Sequence, residues 1–548
     1  MKKIIKYVLV VFLAGSFLNS CDTTDLELRD NPNILTSGDP NLLLNSMQLA
    51  YRNNMATFNN IGGALTRIHF MGGRDYFNNY PGATMNGVWS NTYSNLFANL
   101  QAIEEVNDAS DINYDFHIAV GKTMQAHTLL LLVDFLGSAA YTEAVNPLEF
   151  PAPRLDDGAS VYQAALGLLD EAEALMSTNP SATGATDFFY GGDTAKWIKA
   201  INSIRLKAYV TTNDAAGFNA VIAGNNFISS SDDDLQFEYG TSELQPDTRH
   251  PDFANDYTPS GANIYHSNWT METMLLKDDP RIRYYYYRQV DGTPGANDIN
   301  GDAVDPDEEL LACSLVVPPQ HYQDGGYTFC SVDNGYWGRS HGNDEGTPPD
   351  GFQRTASGVY PAGGRFDDNS FDVVGLGLGG GGAGIEPIIL ASTIDFWRAD
   401  MATSDADKAT FMQAGMEKSI AKVQTFAALD ASSDKSFEPS ESDVTAYIDG
   451  IVADFNAATG DDKENIFAEQ YWIALYGGAA ESFNYYRKTG YPTTVLPSWE
   501  PNPGAFPRSF LLPQNEVVTN PNLTQKTTLT EQVFWDTNPA SPTFPPAN

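Results

Sequence analysis

The sequence has few basic residues for its length. Its 548 residues include 31 Lys and Arg against 70 Asp and Glu, which gives a formal net charge of −39 and an isoelectric point near 4.3. Proteins that bind nucleic acid or an anionic membrane surface usually present clustered positive charge. The charge balance therefore argues against nucleic acid and against an anionic membrane surface as partners.

Cysteine is also scarce, with Cys21, Cys313 and Cys330 as the only three in the chain. Cys21 ends the N-terminal segment described next, which leaves Cys313 and Cys330 as a candidate pair. A disulfide requires an oxidising compartment, and a bridge across a loop of this length stabilises a fold by about 3 kcal/mol. The sequence leaves two alternatives open, a disulfide or two free buried thiols.

No apolar run is long enough to span a bilayer, which takes about 20 residues. The N-terminal run, residues 7–18, follows three lysines and ends in Leu-Asn-Ser-Cys, with the cysteine at position 21. A basic start and a short apolar core are typical of a secretory signal, and the last four residues resemble a bacterial lipobox. We expect residues 1–20 to be a lipoprotein signal peptide, Cys21 to be lipidated, and residues 21–40 to form an acidic tether. The alternative is an ordinary signal peptide that ends beside a cysteine.

Helical periodicity covers much of the remaining chain. Apolar residues recur at helical spacing over residues 42–55, 88–107, 115–136, 159–177, 194–211, 387–401, 405–429, 443–457 and 465–488. Amphipathic segments of this length are typical of surface helices that pack on a core. Residues 268–276 are predicted to form a short helix, and residues 284–287 are predicted to form a strand.

The centre of the chain differs from both flanks, because Gly, Pro, Asp and Asn are dense from about residue 225 to residue 386. We predict an all-α domain over residues 41–548. It has helical parts at 41–224 and 387–489, an irregular insert at 225–386 and a proline-rich tail at 490–548. An irregular stretch of this length in a compact domain is often functional. The paired helices favour tetratricopeptide-like hairpins, although no clean 34-residue period is present.

Two enzyme motifs occur without the surroundings that they need. Residues 338–342, Gly-Arg-Ser-His-Gly, match the nucleophile elbow, which requires a strand before it and a helix after it. Residues 375–380 match G-x-G-x-x-G, which binds dinucleotides only within a strand-turn-helix unit of a parallel sheet. We therefore assign neither activity. Paired carboxylates of a glycoside hydrolase remain an alternative, since nothing distinguishes two among the 70 acidic residues.

Residues 298–309 partly match a calcium-binding loop. Asp298, Asn300, Asp302 and Glu309 place oxygen ligands at positions 1, 3, 5 and 12, but the glycine expected at position 6 is an alanine. The alternatives are a calcium site formed by these four residues and a solvated acidic loop. No other cofactor is predicted.

Several large aromatic residues lie on segments without helical period. They are Tyr76, Phe77, Tyr80, Tyr265, Trp269, Tyr336, Trp337, Tyr360 and Phe366. Exposed rings stack on sugars and on peptide side chains, whereas most large aromatic residues are substantially buried. Each ring is therefore expected either to contact a ligand or to anchor its loop to the core. The residues predicted to contact ligand are Tyr76, Tyr80, Trp269, Tyr336 and Trp337.

Seven segments in register resemble the SusD/RagB family of outer-membrane nutrient-binding lipoproteins of Bacteroidota, most closely its second SusD-like subfamily. They are the lipobox with Asp-Leu-Glu-Leu-Arg-Asp-Asn-Pro-Asn (25–33), Val-Asp-Phe-Leu-Gly (133–137) with Tyr-Thr-Glu-Ala (141–144), Tyr-Gly-Gly-Asp (190–193) before Trp197, Asn-Ser-Ile-Arg-Leu (202–206), Gly-Arg and His-Gly within 338–342, Tyr-Pro-Ala-Gly-Gly (360–364), and Tyr-Arg-Lys-Thr-Gly-Tyr-Pro (486–492). Ala140 replaces a proline that is usual in the second segment.

The resemblance implies tetratricopeptide-like hairpins, an insert that faces the ligand, and no enzymatic activity. It also implies a protein that is lipid-anchored in the outer membrane and faces the cell exterior. Such a protein captures a glycan or an oligopeptide and delivers it to a SusC-like TonB-dependent barrel. The alternatives are a surface glycoside hydrolase and a cap of the barrel that binds nothing. Ligand residues vary within the family, so the resemblance assigns none here.

Overall fold

Helices dominate the computed structural model of the chain, which describes residues 38–179, 181–182, 184–306, 316–329, 332–344 and 350–545. The helices are α1 (Pro40–Leu65), α2 (Tyr76–Asn79), α3 (Asn86–Ser90), α4 (Ala98–Ala109), α5 (Asp115–Leu136), α6 (Gly158–Thr178), α7 (Thr194–Thr212), α8 (Ala215–Gly224), α9 (Pro251–Asp256), α10 (Asn268–Leu276), α11 (Ile282–Tyr285), α12 (Gln320–Gly325), α13 (Ala391–Asp400), α14 (Asp405–Gln424), α15 (Glu441–Ala457), α16 (Asp461–Ala474), α17 (Ala480–Thr489) and α18 (Gln514–Thr519). A π-helical segment, Asn91–Phe97, joins α3 to α4. Within the described ranges, none of the helices combines the length and apolarity needed to cross a membrane.

The strands are short, with two to five residues each. They are β1 (Ser138–Ala139), β2 (Asp156–Asp157), β3 (Leu235–Glu238), β4 (Tyr286–Tyr287), β5 (Ala356–Ser357) and β6 (Ile385–Ile389). Each forms one antiparallel pair, β1 with β2, β3 with β6 and β4 with β5. In the β3–β6 pair, Glu238 lies opposite Ile385, so this pair joins the two ends of the predicted insert.

The predicted all-α fold of helical hairpins is confirmed. Consecutive helices pack from α5 to α8 and again from α13 to α16, and α1 packs against α17. We call α1, α3–α8 and α13–α17, with the π segment, the helical frame. Local sequence explains several boundaries. Asp193 caps α7 by accepting from the backbone N–H of Ala195 and Lys196, and Gly137, with φ +84°, ends α5.

Three predicted elements need correction. The helix predicted over 465–488 is two helices, α16 and α17, because the chain turns at Gly477, which has φ +89°. The start of the helix predicted over 387–401 belongs to strand β6, where pairing with β3 overrides the helical pattern. Of residues 284–287, the last two form the strand and the first two belong to α11.

The tail packs onto the helical frame. The backbone N–H of Phe510 donates to Phe135 O (2.7 Å), and Trp535 Nε1 donates to Asp134 Oδ1 (2.9 Å). Asp134 and Lys207 form a fully buried ion pair between α5 and α7. Residues from Pro40 onward, including insert and tail, belong to one compact unit.

Candidate functional site

The insert meets the segment after α1 and the tail at residues 338–343, which we call the strap. Long-range backbone hydrogen bonds hold the strap, from Arg339 N to His266 O (2.9 Å), from Gly342 N to Met71 O (2.8 Å) and from Trp499 N to His341 O (2.7 Å). These bonds join segments that are far apart in the sequence. The strap is therefore fixed by tertiary contacts rather than by a helix or a sheet.

The glycines of the strap are required by close packing. A Cβ on Gly338 would lie 2.3 Å from His266 O, and one on Gly342, which has φ +79°, would lie 2.4 Å from Ser498 Oγ. Ser340 is buried and its hydroxyl donates to Phe329 O (2.7 Å). The G-x-S-x-G match thus reflects backbone packing, and its serine is not presented as a nucleophile.

A tyrosine held by two arginines lies beside the strap. The guanidiniums of Arg339 and Arg354 lie 4.1 and 3.7 Å from the ring centroid of half-buried Tyr265, within the range of cation–π attraction. Tyr265 Oη donates to Asp350 Oδ2 (2.7 Å), and Asp350 also pairs with Arg354. Burial, together with the charge of Asp350, raises the pKa of Tyr265 to about 12. The phenol therefore stays neutral, next to the half-buried ring of Phe70 at a centroid distance of 5.9 Å.

Charged groups of both signs lie on the segments that bond to the strap or continue it. The side chain of Arg74 is 58% exposed, and its Nε lies 2.5 Å from Asp344 Oδ1 and 3.8 Å from Glu500 Oε1. We call the surface formed by Phe70, Arg74, Tyr265, Asp344 and Glu500 the loop face. It combines hydrogen-bond donors and acceptors with an aromatic pair, on segments that the strap connects.

The five aromatic residues predicted to contact ligand are all buried, each at most 5% exposed. The expectation that irregular loops present these rings to solvent is therefore corrected. Four of them tie loops to the core: Tyr76 Oη contacts His341 Nε2 (3.3 Å), Tyr80 packs on Phe510 (5.2 Å between centroids), Trp269 Nε1 donates to Thr494 O (3.0 Å), and Trp337 N donates to Thr355 Oγ1 (2.8 Å). Tyr336 instead lines a cleft outside the loop face. Contact of any of the five with ligand stays a prediction.

The predicted calcium loop is only partly described. Asp298 Oδ1 accepts the backbone N–H groups of Asn300 (2.9 Å) and Asp302 (2.8 Å), so this oxygen closes the turn of the loop itself. Glu309 lies outside the described residues, as do Cys21, Cys313 and Cys330 and the predicted signal peptide. Among the residues that are described, no three His, Cys, Asp or Glu side chains are grouped to hold a metal ion. Calcium binding, lipidation and the disulfide stay predictions.

Sequence reasoning noted Tyr265 but missed the charged residues of the loop face. Arg74, Asp344 and Glu500 come from three distant segments, and none of them belongs to a motif. Only the glycines at the two ends of residues 338–342 marked the strap as unusual. No signal in a single sequence indicates which of many arginines and carboxylates meet in the fold.

A protein-family model described as "SusD-like_2: Starch-binding associating with outer membrane" matches residues 32–309, just over half of the chain. The match spans the first helical part and half of the insert. A search of curated protein sequences finds no match.

Solved structures match over nearly the whole chain. A chitin-binding protein is 19% identical, with 91% of this chain and 100% of that chain covered and a TM-score of 0.61. A SusD/RagB family protein from Bacteroides thetaiotaomicron VPI-5482 is 16% identical, with coverage of 92% and 100% and a TM-score of 0.60. A chitin-binding SusD homologue from Flavobacterium johnsoniae is 16% identical, with coverage of 91% and 99% and a TM-score of 0.57. At these identities the likeness shows a shared fold.

Proposed function

Because the chain belongs to the SusD-like family, we propose that it is a cell-surface lipoprotein that captures a glycan and delivers it to a SusC-like TonB-dependent transporter in the outer membrane. The observation that carries this proposal is the family match, whose description names starch binding and association with the outer membrane. The protein is a binding protein rather than an enzyme, in line with that description. If the ligand is an oligopeptide instead, none of the saccharides in the binding experiments should bind.

The chemistry of the loop face supports a polar ligand. Arg74 supplies N–H donors, while Asp344 and Glu500 supply acceptors. Sugar hydroxyls donate and accept at once, so a mixed set of charged groups beside an aromatic pair suits them. The strap holds these groups in place before any ligand arrives, which lowers the entropic cost of binding.

Lipidation of Cys21 would fix the protein at the membrane while its folded part stays in water. Each buried methylene contributes about 0.8 kcal/mol, so a multiply acylated N-terminus remains anchored. The tether over 21–40 would let the folded part reach a barrel in the same membrane.

The transporter partnership is tested by mild-detergent pull-down of the tagged protein from its native outer membrane, followed by mass spectrometry. We expect a large TonB-dependent barrel in roughly equal amount. A Cys21→Ala variant, which cannot be lipidated, serves as the control for membrane attachment. Absence of any barrel, under conditions that preserve other outer-membrane complexes, would contradict the delivery step.

The binding step is tested with purified protein and short saccharides, beginning with maltotriose and chitotriose. We expect Arg74→Ala to weaken binding about tenfold, the effect of removing one hydrogen bond to a charged group. Arg154 provides a matched control, because its side chain is 72% exposed and paired with Glu143 on the helical part of the chain. Equal affinities of the Arg74→Ala and Arg154→Ala variants would exclude the loop face.

A further inference from the structure

A second cleft lies outside the loop face and has a volume of about 470 Å³. Its walls are the end of α10 with the start of α11, residues 334–336, and residues 436–443, which lead into α15. Its volume falls within the range of about 300–1,000 Å³ that is usual for small-molecule sites. We call it the Arg283 cleft, after the residue that joins its walls.

Arg283 presents a partly unused guanidinium to this cleft. Its Nη1 donates to Asp367 O (2.9 Å) and to Asn369 Oδ1 (2.8 Å). Nε and Nη2 have no hydrogen-bond acceptor among the described residues. The guanidinium lies 5.4 Å from the ring centroid of Phe437, which is 37% exposed. The cleft therefore combines free N–H donors with an accessible aromatic ring.

Acceptors and amide groups complete the lining. Asp278 is exposed, and its carboxylate accepts no hydrogen bond from any residue that the structure describes. Glu438 Oε2 accepts from Tyr284 Oη (3.3 Å), which leaves its second oxygen available. The side chains of Asn334 and Ser436 also line the cleft without a partner in the described part of the chain. Several polar groups thus converge on one volume with unmet hydrogen-bonding capacity.

The floor of the cleft is rigid. Arg288 donates through Nε to Asp367 Oδ2 (2.6 Å) and through Nη1 to Asn334 O (2.8 Å). Its guanidinium also lies 4.9 Å from the ring centroid of Tyr336. The pair of Arg288 and Asp367 is buried, and it bonds to Arg283 and to the backbone of Asn334, so it holds two of the lining residues in place. Such preorganisation is what a binding site requires.

The mixture of positive and negative groups in the Arg283 cleft favours a neutral ligand. An anionic ligand would face Asp278 and Glu438, and a cationic ligand would face Arg283. A neutral molecule rich in hydroxyls can donate to the carboxylates and accept from the guanidinium, while one of its apolar faces packs on Phe437. We propose that the Arg283 cleft is a second saccharide-binding site, an inference that rests on the proposed glycan-binding function.

The first measurement needs no variant. Hydrogen exchange of the full-length protein is compared with and without maltotriose or chitotriose, or with the best ligand of a glycan array. We expect protection of residues 276–284 and 434–440 in addition to the loop face. Protection confined to residues 70–76 and 338–344 would overturn the second site and leave the proposed function intact.

The second measurement is calorimetric titration of the same saccharide into cleft variants. We expect two sites per wild-type chain and one site in Arg283→Gln and in Phe437→Ala. Arg398→Gln is the control for the first variant, because Arg398 is 29% exposed, paired with Asp395 and stacked 4.0 Å over Phe411 in the helical frame. Phe534→Ala is the control for the second, since Phe534 is 41% exposed on the tail.

The outcomes separate the two proposals. Wild-type binding with one site, unchanged in both cleft variants, would overturn the cleft alone. No binding of any saccharide on the array would overturn both the cleft and the glycan-binding function. Thermal unfolding of each variant is compared with that of the wild type, to show whether a site is lost because the fold is lost. For a variant that does not fold, the exchange measurement on the wild-type protein decides whether the cleft binds saccharide.

Discussion

The helical frame and the insert each bury a carboxyl group, but in opposite ways. In the frame, Asp134 accepts hydrogen bonds from Tyr162 Oη and Trp535 Nε1 and forms an ion pair with Lys207. Burial opposes its ionisation, but the Lys207 ammonium and these hydrogen bonds outweigh burial and hold the pKa of Asp134 below its usual value. The frame thus contains a carboxylate that stays charged.

The insert ends at a carboxyl group without such a partner. Glu386, in β6, accepts from Asn59 Nδ2 (2.7 Å) and Tyr239 Oη (3.3 Å). No Lys or Arg of the described residues forms an ion pair with it. Burial raises the pKa of Glu386 to about 8, so the group is largely neutral at physiological pH.

This difference shows that burial alone does not fix the state of a carboxyl group. A cation within bonding distance keeps Asp134 ionised, whereas neutral donors leave Glu386 protonated. The consequence for Glu386 is local, because β6 pairs with β3 and joins the two ends of the insert. The Asp134 site of the frame is therefore expected to tolerate alkaline pH better than the Glu386 site, where the insert closes.

The largest expected effect follows from removing the cation of the frame. Lys207→Met leaves Asp134 charged and buried without its ion pair, which costs about 3–5 kcal/mol of unfolding free energy. Urea denaturation at neutral pH measures this loss. Lys463→Met is the control, because Lys463 pairs with the exposed Asp405 and should change stability little. Similar losses in the two variants would show that the buried pair has no special role.

An effect of comparable size and opposite sign, which grows with pH, is expected when the carboxyl of the insert is made permanently neutral. Because the pKa of Glu386 is higher in the folded chain (about 8) than its ordinary value of 4.5, the unfolded state releases this proton first as pH rises. The stability that the neutral Glu386 carboxyl contributes is fully present below about pH 4.5. It then falls by about 1.4 kcal/mol for each pH unit up to about pH 8.

Glu386→Gln should remove this dependence. Urea denaturation at pH 5, 6.5 and 8 should show the variant gaining stability over the wild type as pH increases. Glu149→Gln, at an exposed position, should follow the wild type at each pH. A difference that does not change with pH would mean that Glu386 ionises normally in the folded chain.

Sequence pattern predicted the frame better than the insert for a physical reason. In the frame, the ends of α5 agree with prediction and those of α7 agree within one residue, because helical periodicity and end residues are local signals. The sequence also contains a signal for the break at Gly477 and Gly478, because a glycine pair marks a turn. The helical periodicity on both sides of the pair concealed this signal. The π segment, Asn91–Phe97, has no comparable signal.

The candidate site depended on contacts that a single sequence does not show. Trp269 was predicted to contact ligand because no helical stripe accounts for it, yet its indole N–H bonds to Thr494 O, far along the chain. Arg283 and Phe437 meet only in the folded structure. An aromatic residue on an irregular segment therefore does not by itself indicate a ring that faces solvent, since most of those named here are buried whereas Phe77 is 50% exposed.

The smallest expected effect lies where local sequence alone decides the structure. Ser440 begins α15 with a capping box, in which its side chain accepts from Asp443 N and the Asp443 carboxylate accepts from Ser440 N. Ser440→Ala should cost about 1 kcal/mol of unfolding free energy, because the backbone N–H of Asp443 loses its side-chain acceptor and the Asp443 carboxylate loses a hydroxyl donor. Thr445→Ala is the control on the same helix, where the hydroxyl only donates to Glu441 O. Urea denaturation should separate the two variants, and equal stabilities would mean that tertiary packing, not the cap, sets the start of α15. Residues 436–443 also form a wall of the Arg283 cleft. The start of α15, which local sequence encodes, therefore contributes to a cleft that the sequence pattern did not predict.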